Sequence, residues 1–313
     1  MRQITARPGE SGYWVAECPT LPGCISQGKN EEEAKRNISE TIEGYILALR
    51  EDIGTGDLTS RAIISSNSRA TAQYTTKQEL VVAGISVAQE IVRLVDSTLQ
   101  FEILTSDSTS VSGGTALATV RGSARSILMA ERTSLNFLQR MCGIATMTRR
   151  YVDRIQGTRA RIVDTRKTVP GLRVLDKYAV SCGGGMNHRM GLFNGVLIKN
   201  NHLAFHSSVA HAIEQARRCL GHLVKIEVEV RDLGQLQSAL AAGADVILLD
   251  NFNPAETRKA VEIVARRVPV ESSGGITLDN VRDFAEDGVD YISVGALTHS
   301  VPAVDIHLRV TPE

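Results

Sequence analysis

Residues 224–250 read VKIEVEVRDLGQLQSALAAGADVILLD, and this stretch decides the fold. Residues 245–250 are a short, largely apolar run, and residues 224–229 carry apolar residues at every second position; both are predicted to be strands of a sheet. Residues 233–242, between the two runs, have the apolar spacing of a helix. Repetition of such a strand and helix unit indicates a parallel sheet that is covered by helices on its faces.

The same alternation extends outward in both directions. Strands are predicted at residues 161–164 and 195–199 on one side, and at 269–272 and 290–295 on the other, with a further helix at 254–265. The predicted class is therefore α/β, with a barrel-like parallel sheet. Six strands are fewer than the eight of a closed (β/α) barrel, so either the barrel is incomplete or the pattern misses strands.

Polar residues follow strand after strand at its carboxyl end. In (β/α) barrels this rim carries the active site. A single polar residue there could be a helix cap or part of a surface ion pair, but six strands that all end in polar residues are poorly explained in that way. The residues at these strand ends are Asp164, Thr165, Arg166 and Lys167, then Lys199 to His202, Glu229, Asp250, Glu271 to Gly275, and Gly295.

The charges at this rim indicate what kind of ligand it binds. A cationic group favours an anionic ligand such as a phosphate or a polycarboxylate. Glu229 and Asp250 end adjacent strands, and two carboxylates beside phosphate-binding groups suggest an Mg²⁺ site. Ion pairing with Lys225 or Lys199 is the alternative explanation of these carboxylates. The cationic group comprises Arg166, Lys167, His188, Arg189 and Lys199.

Glycine loops follow the last two strands, as Ser272-Ser273-Gly274-Gly275 and as Gly295. This is the usual place of the phosphate site in a barrel, because backbone N–H groups can approach phosphate oxygens closely where no Cβ intervenes. Serine-based nucleophilic catalysis is poorly supported, since the chain has no G-x-S-x-G motif. His202, His206 and His211 lack a metal-binding pattern and are interpreted as surface histidines around a helix start.

Two further zones precede the barrel region. In residues 1–52, strands are predicted at 12–17 and 24–28, and a helix at 31–50 with Asn30 as its N-cap. In residues 53–159, the predicted strands are 70–75, 99–104 and 115–120, and one helix spans 87–95. A longer helical region is predicted at 124–155, with a break near Cys142 and Gly143.

Composition excludes several classes of protein. The 313 residues are 42% hydrophobic and 22% charged, which is typical of a globular chain rather than a disordered one. Lys+Arg and Asp+Glu are both 35, which argues against nucleic-acid coating. The five cysteines are widely spread without a C-x-x-C motif, which favours a reducing cytoplasm. Neither an export signal nor an apolar run of about 18 residues is recognisable, so no membrane span is expected.

The first zone resembles the amino-terminal domain of HicB-type antitoxins. The residues that carry the likeness are 12–19, 21–28 and, in the helix, Glu32-Glu33-Ala34, Asn37-Ile38 and Ile42. The resemblance implies a small βββα module. In that family the module usually precedes a DNA-binding segment and masks a toxin ribonuclease. No such segment follows here, so a folded appendage that binds no toxin is favoured.

Residues from about Glu51 to Pro312 resemble the quinolinate phosphoribosyltransferases, which are also called nicotinate-nucleotide pyrophosphorylases (carboxylating). Many motifs match in order. They are 51–59, 130–138 with 143–146, Asp164-Thr165-Arg166-Lys167-Thr168, Asn187-His188-Arg189, Leu197-Ile198-Lys199 with Asn201-His202, Glu229, Asp250-Asn251, Ser273-Gly274-Gly275-Ile276 and 293–299.

This resemblance implies an open, seven-stranded α/β barrel with an amino-terminal α/β domain, which would account for the missing strands. The zones then become a module at 1–52, an α/β domain with linking helices at 53–159, and a barrel at 160–313 whose end returns to the α/β domain. It also implies a homodimer, or a higher homo-oligomer, with shared active sites. The implied reaction converts quinolinate and phosphoribosyl pyrophosphate to nicotinate mononucleotide, pyrophosphate and CO₂, with Mg²⁺, in NAD biosynthesis.

The resemblance also implies roles for individual residues. Glu229 and Asp250 would hold Mg²⁺, and with Lys167 and Lys199 they form the catalytic set. Quinolinate would lie among Arg132 of the partner subunit, Thr165, Arg166, His188, Arg189 and Lys199. Phosphoribosyl pyrophosphate would contact Lys167, Glu229, Asp250, Ser273, Gly274, Gly295 and His299.

Two departures from the family pattern matter. Asn200 stands where the family commonly has an acid, which removes a local charge contact, and the family's opening helices are replaced by the first zone. Three other functions stay open. They are a related phosphoribosyltransferase-like protein of molybdenum transport operons, a catalytically inactive binding protein, and a toxin-binding or RNA-binding protein.

Overall fold

The computed structural model describes residues 5–8, 14–17, 25–28 and 31–313. The chain forms two compact units. The first comprises Met1–Met147, Thr168–Gly184 and Ser300–Glu313, and the second comprises Thr148–Lys167 and Gly185–His299. Neither unit is contiguous in sequence, because Thr168–Gly184 and Ser300–Glu313 belong to the first unit although they follow parts of the second.

The first unit begins with a three-stranded antiparallel sheet, β1 (Thr5–Pro8), β2 (Trp14–Glu17) and β3 (Ile25–Gly28), and a long helix, α1 (Glu31–Ile53). The two strands and the helix predicted from the residue pattern are confirmed, whereas β1 was not found from its residues. Its short sequence, which ends in Pro8, lacks the alternation that marks a strand. Asn30, the predicted N-cap, lies outside the described residues.

A second antiparallel sheet of the first unit has the order β15 (Ile306–Pro312), β4 (Arg69–Thr76), β8 (Ala116–Ser123) and β6 (Gln100–Ile103). Alternate residues of β4 are buried, since one face of the sheet covers the core of this unit. A separate pair joins β5 (Leu80–Val81) to β7 (Ser110–Val111). Three further helices belong wholly to this unit: α2 (Leu58–Ile63), α3 (Ile85–Val95) and α5 (Arg173–Cys182).

The helix α4 (Ala124–Arg154) is continuous, so the break predicted near Cys142 and Gly143 is wrong. A glycine inside a helix costs about 1 kcal/mol relative to alanine, but burial of the surrounding side chains outweighs that cost. Gly143 has a packing role instead. A Cβ atom at this position would overlap the carbonyl oxygen of Pro302, so the glycine permits a close approach of two backbone segments.

The second unit contains a six-stranded parallel sheet in the order β10 (Val196–Ile198), β11 (Ile226–Val230), β12 (Val246–Asp250), β13 (Val270–Ser273), β14 (Tyr291–Ser293) and β9 (Arg161–Val163). All six predicted strands are confirmed. Met186 adds one parallel bridge to Val163, beyond the edge strand β9. The six strands and this bridge agree with the open α/β barrel that the family resemblance implies.

Helices connect these strands: α6 (Asn200–Leu203), α7 (Val209–Cys219), α8 (Leu233–Ala241), α9 (Pro254–Val264), α10 (Val281–Glu286) and α11 (Ala296–His299). Side chains of Ser208, Asp232 and Asn253 cap the first turns of α7, α8 and α9. On β11, Ile226, Val228 and Val230 are fully buried, while Glu227 and Glu229 alternate with them and occupy the opposite face. Among the described residues, no helix has the length and apolarity needed to cross a membrane.

Candidate active site

A cavity of about 540 Å³ opens at the carboxyl ends of the parallel strands in the second unit. Twelve candidate residues contribute to its lining, although they follow six different strands and span residues 165–299. Five residues that the sequence also places at the rim do not line it: Asp164, Asn200, Asn201, His202 and Ser272. The candidates that line the cavity are Thr165, Arg166, Lys167, His188, Arg189, Lys199, Glu229, Asp250, Ser273, Gly274, Gly295 and His299.

Arg132, the remaining candidate, lies on α4 in the first unit, where its side chain is exposed. It does not line the cavity of its own chain. The described cysteines also lie away from the cavity. Cys142 and Cys182 are buried in the first unit, and Cys219 is exposed on α7. No described cysteine can therefore serve as a nucleophile there.

The ammonium group of Lys199 forms an ion pair with Glu229, with Nζ and Oε2 at 2.5 Å. The other oxygen of Glu229 accepts hydrogen bonds from the side-chain amide of Asn200 at 2.8 Å and from its backbone N–H at 3.3 Å. Burial raises the pKa of Glu229. The hydrogen bond and positive charge of Lys199, together with the hydrogen bonds from Asn200, lower it by more, so the pKa lies below its ordinary value. Asn200 thus supplies a donor to Glu229, which an acid at this position could not do when ionised.

Asp250 ends β12 beside Asn251, whose side-chain amide donates to Oδ1 of Asp250 at 3.0 Å. The guanidinium of Arg231 lies 3.6 Å from Oδ2. Asn251 has a φ of 59°, in the left-handed region that non-glycine residues seldom adopt. Its backbone N–H donates to the carbonyl oxygen of Ser273 at 2.8 Å, so this strained residue joins the ends of β12 and β13.

The loop after β13 contains Gly274 with a φ of 95° and Gly275 with a φ of 62°. A Cβ atom on Gly274 would overlap the side chain of Asn251, whereas the space around Gly275 is open within 4 Å. Glycine is thus required at 274 by both the backbone and the packing. Gly295 lies close to Lys167 and His299, since its Cβ would be 3.1 Å from Cδ of one and Nε2 of the other.

The segment after β9 is held by hydrogen bonds within the second unit. The hydroxyl of Thr165 accepts the backbone N–H of Lys167 at 3.0 Å, and Thr298 donates to the carbonyl oxygen of Lys167 at 2.7 Å. Arg189 donates to the carbonyl oxygen of Gly195 at 2.8 Å. Burial, and then the charge of Arg166, lowers the pKa of Arg189, and both arginines line the cavity.

Two glutamates lie near His188: Glu271, which the sequence places at the rim without a role, and Glu227, which the sequence pattern did not single out. Nε2 of His188 is 3.1 Å from Oε2 of Glu227 and 3.7 Å from Oε2 of Glu271. Nδ1 of His188 accepts the backbone N–H of Arg189 at 2.7 Å, which leaves the ring proton on Nε2, toward the glutamates. Glu227 stands two residues before Glu229 on β11. This period-2 spacing of acids was the available signal, because it puts both on the inner face of the barrel.

The cavity therefore combines a cationic wall, two carboxylates at neighbouring strand ends and glycine loops. Such a site can orient a polyanion and a phosphorylated ligand against each other. Among the described residues, no cysteine lines this cavity.

Comparisons with known proteins show which families this chain is similar to. The sequence matches the families described as quinolinate phosphoribosyl transferase, N-terminal domain, over residues 57–142, and quinolinate phosphoribosyl transferase, C-terminal domain, over residues 144–309. It is 45% identical over 261 residues to the probable nicotinate-nucleotide pyrophosphorylase [carboxylating] of Bacillus subtilis (strain 168), covering 83% of this chain and 90% of that one. A relative from Mycobacterium leprae (strain TN), named nicotinate-nucleotide pyrophosphorylase [carboxylating], is 45% identical over 267 residues, covering 83% and 94%.

Solved structures are similar over the same region. The nicotinate-nucleotide pyrophosphorylase from Francisella tularensis superposes with a TM-score of 0.83 at 39% identity, covering 87% of this chain and 96% of that chain. NadC from Streptococcus pyogenes gives a TM-score of 0.84 at 37% identity, covering 88% and 97%.

Proposed function

The chain belongs to the quinolinate phosphoribosyltransferase family, and from that premise we propose the reaction that it catalyses. The enzyme transfers the phosphoribosyl group of phosphoribosyl pyrophosphate to quinolinate. The products are nicotinate mononucleotide, pyrophosphate and CO₂, in the de novo biosynthesis of NAD. The observation that carries the proposal is the convergence, in one cavity, of cationic side chains, paired carboxylates and glycine loops from six separate strand ends.

The cationic wall suits quinolinate, which is a dianion. Thr165, Arg166, Arg189 and Lys199 would bind its two carboxylates, and guanidinium groups grip carboxylates through paired hydrogen bonds. His188 borders the same pocket, with Nε2 toward Glu227. Lys199 is paired with Glu229, and we propose that a substrate carboxylate takes the place of Glu229 beside Lys199.

Phosphoribosyl pyrophosphate would lie along the other side of the cavity. Ser273, Gly274, Gly295 and His299 would bind the 5-phosphate, because the glycines leave backbone N–H groups accessible. Lys167 would contact the pyrophosphate. Its main chain is fixed by Thr165 and Thr298, which holds the start of its side chain in place.

The donor atoms of Glu229 and Asp250 fit Mg²⁺, which needs only one or two protein carboxylates when phosphate and water complete its shell. We propose that these two carboxylates hold Mg²⁺, which when bound neutralises charge on the departing pyrophosphate. Lys199 must leave Glu229 for this carboxylate to become fully available, and the proposed movement of Lys199 toward quinolinate achieves that.

The chain needs no nucleophile of its own, since the ring nitrogen of quinolinate attacks C1 of the ribose. Loss of pyrophosphate gives C1 oxocarbenium character, and the protein orients the two substrates and balances their charge. Decarboxylation at ring carbon 2 follows, because the positively charged ring nitrogen stabilises the electron pair left on that carbon.

We further propose a homodimer or a higher homo-oligomer in which Arg132 of the partner subunit completes each quinolinate pocket. We also propose a cytoplasmic location, which suits the free thiols of Cys142 and Cys182. Residues 1–52 are proposed to be a folded appendage with no part in the chemistry.

Incubation of the purified protein with quinolinate, phosphoribosyl pyrophosphate and Mg²⁺ tests the main proposal. We expect nicotinate mononucleotide, pyrophosphate and CO₂ in equal amounts, and no product when Mg²⁺ is chelated. Turnover of nicotinic acid without turnover of quinolinate would contradict the assignment of a dicarboxylate pocket.

A further inference from the structure

Glu271 is a buried acid on the wall of the proposed quinolinate pocket, and the mechanism above does not use it. Its side chain is 5% exposed, and it lines the same cavity as Arg166, His188 and Lys199. On β13, Glu271 stands two residues before Ser273, so both side chains lie on the same inner face of the sheet.

Burial and the charge of Glu227 disfavour a charged carboxylate at Glu271 more strongly than His188 and the hydroxyl of Ser293 favour it. Glu227 lies beside it, and one ligand atom from each of His188, Glu227 and Glu271 lies within 4.8 Å of the others. The Oε1 atoms of both glutamates are buried and have no hydrogen-bond donor among the described residues. Two adjacent carboxylates so placed cannot both be ionised without a large cost in free energy.

We therefore expect the proton on Glu271, because Nε2 of His188 lies farther from it, at 3.7 Å, than from Glu227, at 3.1 Å. Burial, and then the charge of Glu227, raises the pKa of Glu271 to about 8. The titratable groups that neighbouring elements bring to Glu271 are Glu227 from β11, His188 from the segment before β10, and Tyr291, its register partner on β14.

The proposed reaction requires an acid at this pocket. When CO₂ leaves, the bond between ring carbon 2 and its carboxylate breaks, and the electron pair stays on carbon 2 of the pyridinium ring. Nicotinate mononucleotide carries a hydrogen at that carbon, so one proton must be supplied. The substrates bring no acidic proton at the reacting carbon, and water is partly excluded from a filled cavity.

We infer that Glu271 is the general acid that protonates ring carbon 2 after decarboxylation. The Oε–H bond of Glu271 breaks, a C–H bond forms at carbon 2 from the electron pair that CO₂ left behind, and Glu271 becomes a carboxylate. It regains a proton from water after the product leaves. This inference rests on the proposed function.

Other groups on the cavity wall are less suited to this role. Glu229 has its pKa below the ordinary value because of Lys199 and Asn200, so it has no proton to give near neutral pH. Arginine side chains keep their protons under all such conditions. Lys199 is paired with Glu229, and in the proposed complex it binds a substrate carboxylate.

Single-turnover measurements on the full-length enzyme test the inference with Glu271→Gln, which keeps the shape of the side chain but removes its acidic proton. We expect the rate of nicotinate mononucleotide formation to fall by roughly 10²- to 10⁴-fold, the usual contribution of a general acid. The Kd of quinolinate, measured by calorimetry without the second substrate, should stay unchanged. Glu271→Asp, which keeps an acid, should recover part of the rate.

The pH profile supplies a readout that a purely structural role would not change. The wild-type single-turnover rate should decline as pH rises through about 8, where Glu271 loses its proton. The rate of Glu271→Gln should not show this decline. In the infrared spectrum at pH 7, the wild type should show a protonated carboxylic acid band that disappears in Glu271→Gln.

Two results would overturn the inference: a single-turnover rate of Glu271→Gln equal to that of the wild type, or a loss of rate matched by an equal loss of quinolinate affinity. Failure of the proposed function is distinguishable, because then the wild type itself would release no CO₂ from quinolinate. The infrared difference would still report whether Glu271 carries a proton.

Discussion

Gly274 and Asn251 are packed so closely that a Cβ atom on Gly274 would lie 2.6 Å from Cγ of Asn251. Each is in the left-handed region of backbone conformation, with φ values of 95° and 59°. Because Asn251 also donates a hydrogen bond to Asp250, this contact joins the proposed 5-phosphate loop to one of the carboxylates that would hold Mg²⁺.

Substitution of Gly274 by alanine should therefore weaken binding of phosphoribosyl pyrophosphate. Backbone strain of about 1–3 kcal/mol corresponds to a rise in its KM of roughly 5- to 150-fold. Gly275→Ala is a matched control, since it has a similar φ of 62° but open space around its Cβ, and it should have the smaller effect. Steady-state kinetics with quinolinate held saturating checks this, and equal effects of the two substitutions would contradict the steric argument.

Arg166→Ala should raise the KM of quinolinate more than Arg166→Lys does. Both variants lose the paired hydrogen bonds to a carboxylate, but only the first also loses the charge. A hydrogen bond to a charged group contributes about 1.5–3 kcal/mol, so we expect the alanine variant to show a rise of roughly 10- to 150-fold. Arg218→Ala, on an exposed side chain of α7 that pairs with Glu214, is the control and should leave the KM unchanged. Equal defects for alanine and lysine at 166 would argue against direct contact with the substrate.

Arg132→Ala and Lys199→Ala should each be nearly inactive, yet a mixture of the two should regain activity. In a mixed dimer with shared sites, one site carries both substitutions and the other carries neither. At full exchange half of the dimers are mixed, so recovery should approach about a quarter of the wild-type activity for binomial mixing of a symmetric dimer. Subunit exchange is confirmed separately by mass spectrometry of differently tagged chains. Exchange without recovery would leave Arg132 as a structural cation.

Glu271 should make the stability of the chain depend on pH in a defined direction. In the folded chain it keeps its proton up to about pH 8, whereas in the unfolded chain it loses the proton near pH 4.5. Between these values the folded state binds more protons, so the free energy of unfolding falls as pH rises. This contribution is fully present below pH 4.5 and is lost above about pH 8.

Urea denaturation across this range, in the wild type and in Glu271→Gln, measures the contribution. The wild-type free energy of unfolding should decline relative to that of the variant between the two pH values. Glu262→Gln, on an exposed position of α9, is the control and should follow the wild type. Parallel curves for the wild type and Glu271→Gln would show that Glu271 titrates normally.

Removal of residues 1–30 should leave kcat/KM for quinolinate unchanged, since the proposed cavity lies wholly in the second unit. The carboxyl-terminal half of α1 must be kept, because Tyr45 is 1% exposed and its ring packs edge-on against Phe137 at 5.4 Å. Tyr45→Ala in the full chain should accordingly cost about 3–5 kcal/mol of stability, measured by urea denaturation. Loss of turnover on truncation, with the fold retained, would give the amino-terminal module a role in the chemistry.

The parallel sheet was predictable because each of its strands is a short apolar run between turn signals, and that pattern is local. Residues 224–250 are sufficient to show it, and all six strands occur where the pattern places them. The rim was predictable for the same reason. Once strands are parallel, their carboxyl ends must meet, so Arg166, Lys199, Glu229 and Asp250 line one cavity.

Other features depend on neighbours that are distant in sequence. A helix break was predicted at Gly143, yet α4 runs through it because this glycine faces the backbone at Pro302. Nothing in the sequence around Asn251 predicts its left-handed conformation. In the fold, this conformation accompanies a backbone hydrogen bond to Ser273 on the next strand. The sequence places Glu271 at the rim, but its contact with Glu227 and His188 forms only when the fold brings β11, β13 and His188 together.

The sequence alone determined which residues form strands, which strand ends carry charge, and which family motifs are present, since each of these is encoded within a few consecutive residues. Only the tertiary structure decided which charges neutralise one another. Lys199 pairs with Glu229 across 30 positions, whereas Glu271 meets a second carboxylate 44 positions away, and its buried Oε1 atom has no hydrogen-bond partner among the described residues. The state of a buried carboxyl depends on solvation and on the charges within a few ångströms, and those distances exist only after the chain has folded.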